Sequence, residues 1–134
     1  MNNWSEVFSS LIWQLYILKA IYEVYLLSGG VAGAISFLSG FSPVQINSAI
    51  ETTLATLSGV VCDGAKSSCA TKIASGVAAA FDGYYAASKN RKFEFGEGIV
   101  GRNIEATIKN VGTLGQVGMK ITDDVILDIM IKNK

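Results

Sequence analysis

The chain of 134 residues has no histidine, one proline and only two cysteines. Each scarcity excludes something. Without imidazole there is no side chain whose ordinary titration lies near neutral pH, and none to complete a zinc site begun by two thiolates. One proline leaves no room for a Pro-rich linker, so the length reads as a single compact domain. Two cysteines are too few for a disulfide scaffold, and a reducing, cytoplasmic setting is the simpler assumption. Acidic and basic residues balance at 11 each, for a formal net charge of zero. No field of one sign steers a polyanion and no basic cluster alternates with aromatics, so nucleic acid is not an expected partner. No basic segment followed by a short apolar core and a cleavage site opens the chain, so no secretory signal is read.

Charge is also locally scarce. Residues 1–60 hold only Glu6, Lys19, Glu23 and Glu51, and nothing charged lies between Val24 and Ile50. Such a stretch suits a buried core helix, a protein interface or a membrane span. A span needs about 20 predominantly apolar residues. Here Ser28-Gly29-Gly30 and Ser39-Gly40-Phe41-Ser42-Pro43 interrupt the run, which places the membrane reading of residues 7–41 behind the soluble one.

What remains is rich in helix formers. Half of the residues are hydrophobic and 14 are glycine. The periodicity predicts an all-α fold, a compact bundle of about six helices with glycine-rich connections. A first helix is expected over residues 7–27, with Leu11, Leu15, Leu18, Tyr22 and Tyr25 at helical spacing. A short second helix follows, from the glycines at 29, 30 and 33 to Leu38, with Gly40 as its stop. Ser42, Pro43 and Gln45 form a capping box that opens a third helix, with Ile46, Ile50, Leu54 and Leu57 on one face. A fourth begins near 64–66 and reaches about Ser88, with Ile73, Val77, Ala80 and Tyr84 as its expected core face. Residues 89–101 read as a polar loop, in which Gly96-Glu97-Gly98-Ile99-Val100-Gly101 makes a turn rather than a phosphate cradle. A fifth helix carries Ile104, Ile108 and Val111. Gly112, Gly115 and Gly118 suggest a tight connection. Thr122 is the expected cap of a sixth helix, whose buried side would be Val125, Ile126, Ile129 and Met130.

The two cysteines stand in Val61-Cys62-Asp63-Gly64-Ala65-Lys66-Ser67-Ser68-Cys69-Ala70, between two apolar segments. Thiolates are soft ligands for iron or zinc and good nucleophiles. On one continuous helix Cys62 and Cys69 would lie about 10.5 Å apart along the axis, too far to share one small metal centre. A turn at Asp63-Gly64 would let both sulfurs converge beside one helix N-terminus, closed over by the glycine-rich second helix. Asp63, Gly64, Lys66 and Ser67 are then candidate substrate contacts, since free amides and a lysine suit a carboxylate. The plainer reading stays open beside it: two buried thiols need no chemistry, Asp63 is a helix cap, and Lys66 and Ser67 are solvated first-turn residues.

From Leu57 to Ile73 the sequence around both cysteines resembles the signature of the L-cysteine desulfidase and iron–sulfur L-serine dehydratase alpha-like family. The similarity extends to Gly98-Ile99-Val100-Gly101, to Glu105–Gly112 and to Thr122–Met130. It covers roughly residues 33–130, and residues 1–28 match poorly. The resemblance implies β-elimination from L-cysteine or L-serine to pyruvate and ammonia. It implies a [4Fe–4S] cluster held by three cysteines, of which Cys62 and Cys69 match the two later ones. The first ligand would fall near Tyr22, where no cysteine stands, and a further N-terminal cysteine that acts as base in desulfidases has no match.

The chain thus divides into an apolar helical extension, residues 1–28, and a serine dehydratase alpha-like helical domain, residues 29–134. It reads as a truncated or split C-terminal domain of such a lyase, inactive alone, completed by an N-terminal companion domain or by assembly into a homo-oligomer. The alternative is a non-catalytic helical interaction domain.

Overall fold

A stripe of small residues decides how the first helix packs. In the computed structural model, which describes residues 23–61 and 67–133, residues 23–38 form one helix, α1. Its buried positions are Tyr25, Ser28, Gly29, Ala32 and Ser36, one face at helical spacing. The break expected at Ser28-Gly29-Gly30 is absent. Ser28 stays within the helix by donating its hydroxyl back to the Val24 carbonyl at 2.5 Å. Gly29 and Gly33 let α1 lie close to its neighbour: a Cβ on Gly33 would sit 3.2 Å from the Ile50 side chain, and one on Gly29 3.6 Å from it. The expected first-helix residues 7–22 lie outside the described residues. Gly40 ends α1 as anticipated. It adopts φ +74°, and the Phe41 and Gly40 amides donate to the Ser36 and Phe37 carbonyls at 3.1 and 3.0 Å, a Schellman closure.

Helix α2, Pro43–Thr56, starts as its sequence predicts. The Gln45 amide donates to Ser42 Oγ at 3.3 Å, and the Ser42 amide donates to Gln45 Oε1 at 3.1 Å. Gln45 also ties the helix to the far end of its partner, donating through Nε2 to Asn90 Oδ1 at 3.3 Å. That partner is α3, Ser67–Ser88, which runs antiparallel to α2. It ends on Asn90 at φ +53°, with the Arg91 amide donating to the Ala86 carbonyl at 2.9 Å.

The buried face of α3 differs from the expected one. Gly76, Ala79, Ala80, Gly83 and Ala87 are buried, whereas Ile73 is 38% exposed and Val77 and Tyr84 are half-buried. The reason is separation. Small residues let the α2 and α3 backbones approach closely, and large side chains on that line would hold them apart. Tyr84 sits at the margin, its ring stacked on Phe41 with centroids 5.0 Å apart.

After the 89–101 loop, Asn103 caps α4, Ile104–Thr113, by accepting from the Ala106 amide at 2.9 Å. Ile104 and Val111 pack on the core of Tyr25, Leu54, Leu57 and Ala79. Ile108, expected beside them, points outward, and Thr107 occupies the buried position. The tight connection expected at Gly112, Gly115 and Gly118 is a π turn, Leu114–Gly118, closed by the Met119 amide donating to the Leu114 carbonyl at 3.0 Å. The chain continues into α5, Lys120–Lys132, so Thr122 lies inside the helix rather than capping it. None of the residues of α5 is buried. Val125 and Ile129, expected in the core, are about half exposed, and Ile126 and Met130 are only partly covered.

The described residues therefore form an all-α fold of five helices and a π turn, without strands. No helix among them is long and apolar enough to cross a membrane.

Asp123, in the first turn of α5, has a carboxyl pKa raised above the ordinary range, first by burial and then by the neighbouring charge of Asp124. Its Oδ2 is buried without a hydrogen-bond partner among the described residues. The folded state thus holds this proton more tightly than the unfolded chain. Stability attributable to Asp123 is intact below the unfolded pKa and falls as pH rises through the raised folded one. Asp123→Asn should remove that loss. Urea midpoints of variant and parent should differ at neutral pH in favour of the variant, and the gap should narrow as the pH is lowered below the carboxylate range. A constant gap would assign the effect to packing instead.

Candidate functional site

The cysteine segment joins α2 to α3, and the structure fixes how the chain enters it. Leu57 ends α2, and its carbonyl accepts two donors: the Val60 amide at 2.9 Å and the Tyr25 hydroxyl at 2.6 Å. Tyr25 is buried, and that burial pushes its phenol above the usual value, so it remains a donor through the physiological range. One phenol from α1 thus pins the turn that leads to Val61, immediately before Cys62. Leu54 and Leu57 cover the pin from the apolar side.

On the other flank, α3 opens at Ser67, which is exposed, and carries Cys69 partly buried in its first turn. Those are the two sequence-predicted site residues among the described ones. Cys62, Asp63, Gly64 and Lys66 lie outside the described residues, as does Tyr22, so the convergence of the two sulfurs and the turn at Asp63-Gly64 are not described. The wider anticipation, that the cysteine segment sits where one helix has ended and another starts, matches the coil at Val61 and the helix from Ser67.

A second polar cluster was not anticipated as a unit. Thr107, fully buried on α4, donates its hydroxyl to Glu51 Oε1 on α2 at 2.6 Å. Thr107 Oγ1 in turn accepts the Gly101 amide at 2.9 Å. Gly101 cannot carry a side chain here, because a Cβ would lie 2.5 Å from that of Ala106 and 2.8 Å from the Thr107 nitrogen. One signal for this cluster was in the sequence: Glu51 is the only charged residue between Val24 and Val61. Asn110, which also showed no role from sequence, donates to the Ile99 carbonyl at 2.9 Å and secures the same loop. Gly96 at φ +92° and Gly98 at φ +60° make the bend that the glycine spacing suggested. Beyond it, Arg102 is exposed, with its guanidinium 5.3 Å over the Phe95 ring.

The donor set for a metal is short. The whole chain offers two thiolates and no imidazole, and no group of three His, Cys, Asp or Glu side chains among the described residues could hold a metal ion. Two cysteines are one fewer than the three that the resemblance implies for an iron–sulfur cluster. An open groove along α4, from Glu105 to Gln116, contains none of the sequence-predicted site residues.

Comparison with known proteins gives a consistent picture. The family profile described as serine dehydratase alpha chain matches residues 27–128. A UPF0597 protein from Fusobacterium nucleatum is 52% identical over 105 residues, covering 78% of this chain and 25% of the relative. One from Lachnoclostridium phytofermentans is 48% identical over 104 residues, with the same coverage. One from Desulfitobacterium hafniense is 44% identical over 114 residues, 85% of this chain and 26% of the relative. The chain spans about a quarter of the length of the curated relatives it matches. No solved structure matches it.

Proposed function

This chain belongs to the serine dehydratase alpha chain family, and we propose that it is the cysteine-bearing C-terminal domain of an iron–sulfur-dependent β-eliminating lyase, inactive alone. The substrate class is a small β-substituted L-amino acid. L-Serine would give pyruvate and ammonia, and L-cysteine with water would give pyruvate, ammonia and sulfide. The observation that carries the reading is the family match across residues 27–128, which contains the Cys62–Cys69 segment.

In this reading residues 29–134 are the family domain and residues 1–28 an extension of it. Cys62 and Cys69 would supply two ligands of a [4Fe–4S] cluster, and the remaining thiolate would come from further chain, either a companion domain or a second copy. When bound, such a cluster supplies a Lewis acid for the substrate's carboxylate or leaving group. The protein's own contribution is positional. Tyr25 holds the approach to Cys62, Ser67 and Cys69 share the first turn of α3, and Asp63, Gly64 and Lys66 are candidate contacts for the substrate carboxylate. A reducing cytoplasm is the compartment in which two such thiols would persist.

The test is anaerobic reconstitution with iron and sulfide, read by iron and sulfide content and by visible absorption. The chain alone should fail to hold a stoichiometric cluster. Placed in the full-length context of a relative, in exchange for the matched quarter, it should hold one and lose it on Cys62→Ser or Cys69→Ser. Stable cluster and turnover by the chain alone would refute the incomplete site. No cluster even in the full-length context would leave the alternative, a non-catalytic helical domain. That second reading is favoured by one observation, the missing third thiolate.

A further inference from the structure

Helix α5 is built like an interior helix and is not covered like one. Its sequence, Lys120–Lys132, carries apolar residues on nearly every side: Ile121, Val125 and Ile129 along one line, Leu127 and Ile131 along another, Ile126 and Met130 between. Apolar residues on several faces of one helix need cover on more than one side, even with Asp124 and Asp128 among them. Yet Ile121 is 74% exposed, Ile131 63%, and Val125, Leu127 and Ile129 each about half. Its packing within the described residues is chiefly against the π turn at its own start. Exposed apolar side chains grouped on one element mark a surface that something binds. Asp123 adds a second sign, a buried carboxylate oxygen with no partner at the same helix.

The length comparison points to an occupant. The matched relatives continue for the remaining three quarters of their length beyond the part this chain represents. We propose that α5 is the docking element for that remainder of the family fold, and that its Ile121–Val125–Ile129 and Leu127–Ile131 lines are enclosed by it on two sides. The occupant is thus a folded segment of the same family, carried in the relatives on the same polypeptide, and not a membrane or a second copy of this chain. The proposal rests on family membership, length and α5 alone. It does not depend on a cluster or on lyase chemistry.

Hydroxyl-radical footprinting of two intact proteins tests it: this chain, and the full-length Fusobacterium nucleatum relative. Side chains at 121, 125, 127, 129 and 131 should label readily in this chain. The aligned positions of the relative should label about tenfold more slowly, because the core of an interface excludes water. Sedimentation velocity of this chain is run alongside to report its own association. Equal labelling in the two proteins would overturn the proposal, since α5 would then face solvent in the complete fold. A dimer of this chain with α5 already protected would overturn it too, by making a second copy the occupant. Protection in the relative with no cluster on reconstitution would sink the lyase reading and leave this one standing.

Discussion

Gly83→Ala should destabilise the protein by about 2–3 kcal/mol, lowering the thermal midpoint on the order of 10 °C. The cause is local. Gly83 lies where α3 crosses α2, and an added Cβ would overlap the Ala49 carbonyl oxygen and come 2.5 Å from Thr53 Oγ1. Neither neighbour can yield cheaply. The Ala49 oxygen belongs to the helix backbone, and it already accepts the Thr53 hydroxyl at 2.7 Å. Rotating Thr53 away would break that bond in a fully buried place. The helices must therefore separate, and every small residue on the line, from Gly76 to Ala87, loses contact at once. The same substitution at Gly30 provides the control. It stands in α1 with nothing within 4 Å of its would-be Cβ, so alanine should stabilise by about 0.5–1 kcal/mol through helix propensity. Urea unfolding of both variants checks the pair. If Gly83→Ala costs no more than an exposed substitution, the close crossing of α2 and α3 is wrong.

That crossing also explains which parts of the fold were legible in the sequence. Caps were readable because they are local chemistry: Ser42-Pro43-Gln45 opens α2 and Gly40 closes α1 through bonds within a few residues. The helical class was readable for the same reason. Faces were not. Reading for large apolar side chains selected Ile73, Val77 and Tyr84 on α3, while the buried face is Gly76, Ala79, Ala80, Gly83 and Ala87. Residues 25, 28, 29, 32 and 36 of α1 repeat the same spacing. In a bundle packed this closely, the informative periodicity is that of small residues, and the bulky ones flank it. Glycines misled in the opposite direction. Ser28-Gly29-Gly30 looked like a break and Gly112 through Gly118 like a tight connection, yet the first continues as α helix and the second as a π turn. Glycine spacing marks a break only where the backbone needs positive φ, as at Gly40, Gly96 and Gly98. The α5 face failed for a third reason: its apolar residues are largely uncovered among the described residues, so no periodicity among those residues could say which side is inward. Of the site, the motif placed the cysteine segment at the junction of α2 and α3, where Cys69 stands in the first turn of α3, but the tyrosine that pins the approach comes from α1, 32 residues from the carbonyl it holds. Contacts of that range leave no trace in local spacing.

Thr107→Val should cost about 2–3 kcal/mol, because one hydroxyl satisfies a buried amide and a half-buried carboxylate. It accepts the Gly101 amide and donates to the Glu51 carboxylate. Valine keeps the shape and removes both bonds, leaving a buried amide and a carboxylate oxygen without their partner. Thr107→Ser retains the hydroxyl and should lose much less, which separates hydrogen bonding from the methyl's packing. Glu51→Gln retains an acceptor oxygen and should also fall short of the valine variant. If the cluster acts as a unit, Thr107→Val and Glu51→Gln combined should cost less than the two separate losses added. The consequence reaches the loop. Gly101 is where the 89–101 segment is fastened to α4, and α4 in turn packs on α2 through the same threonine. Amide hydrogen exchange should therefore show Gly101 and Val100 losing protection in Thr107→Val well before the α2–α3 pair does. Uniform loss across the chain would mean that the threonine supports the global core rather than this anchor. The experiment bears on function because α2 carries Glu51 and ends at Leu57, whose carbonyl sets the path into Cys62. A loosened α4 that left the Tyr25–Leu57 bond protected would place the cysteine segment and the glycine loop in separate cooperative units. Joint loss of both would join them into one.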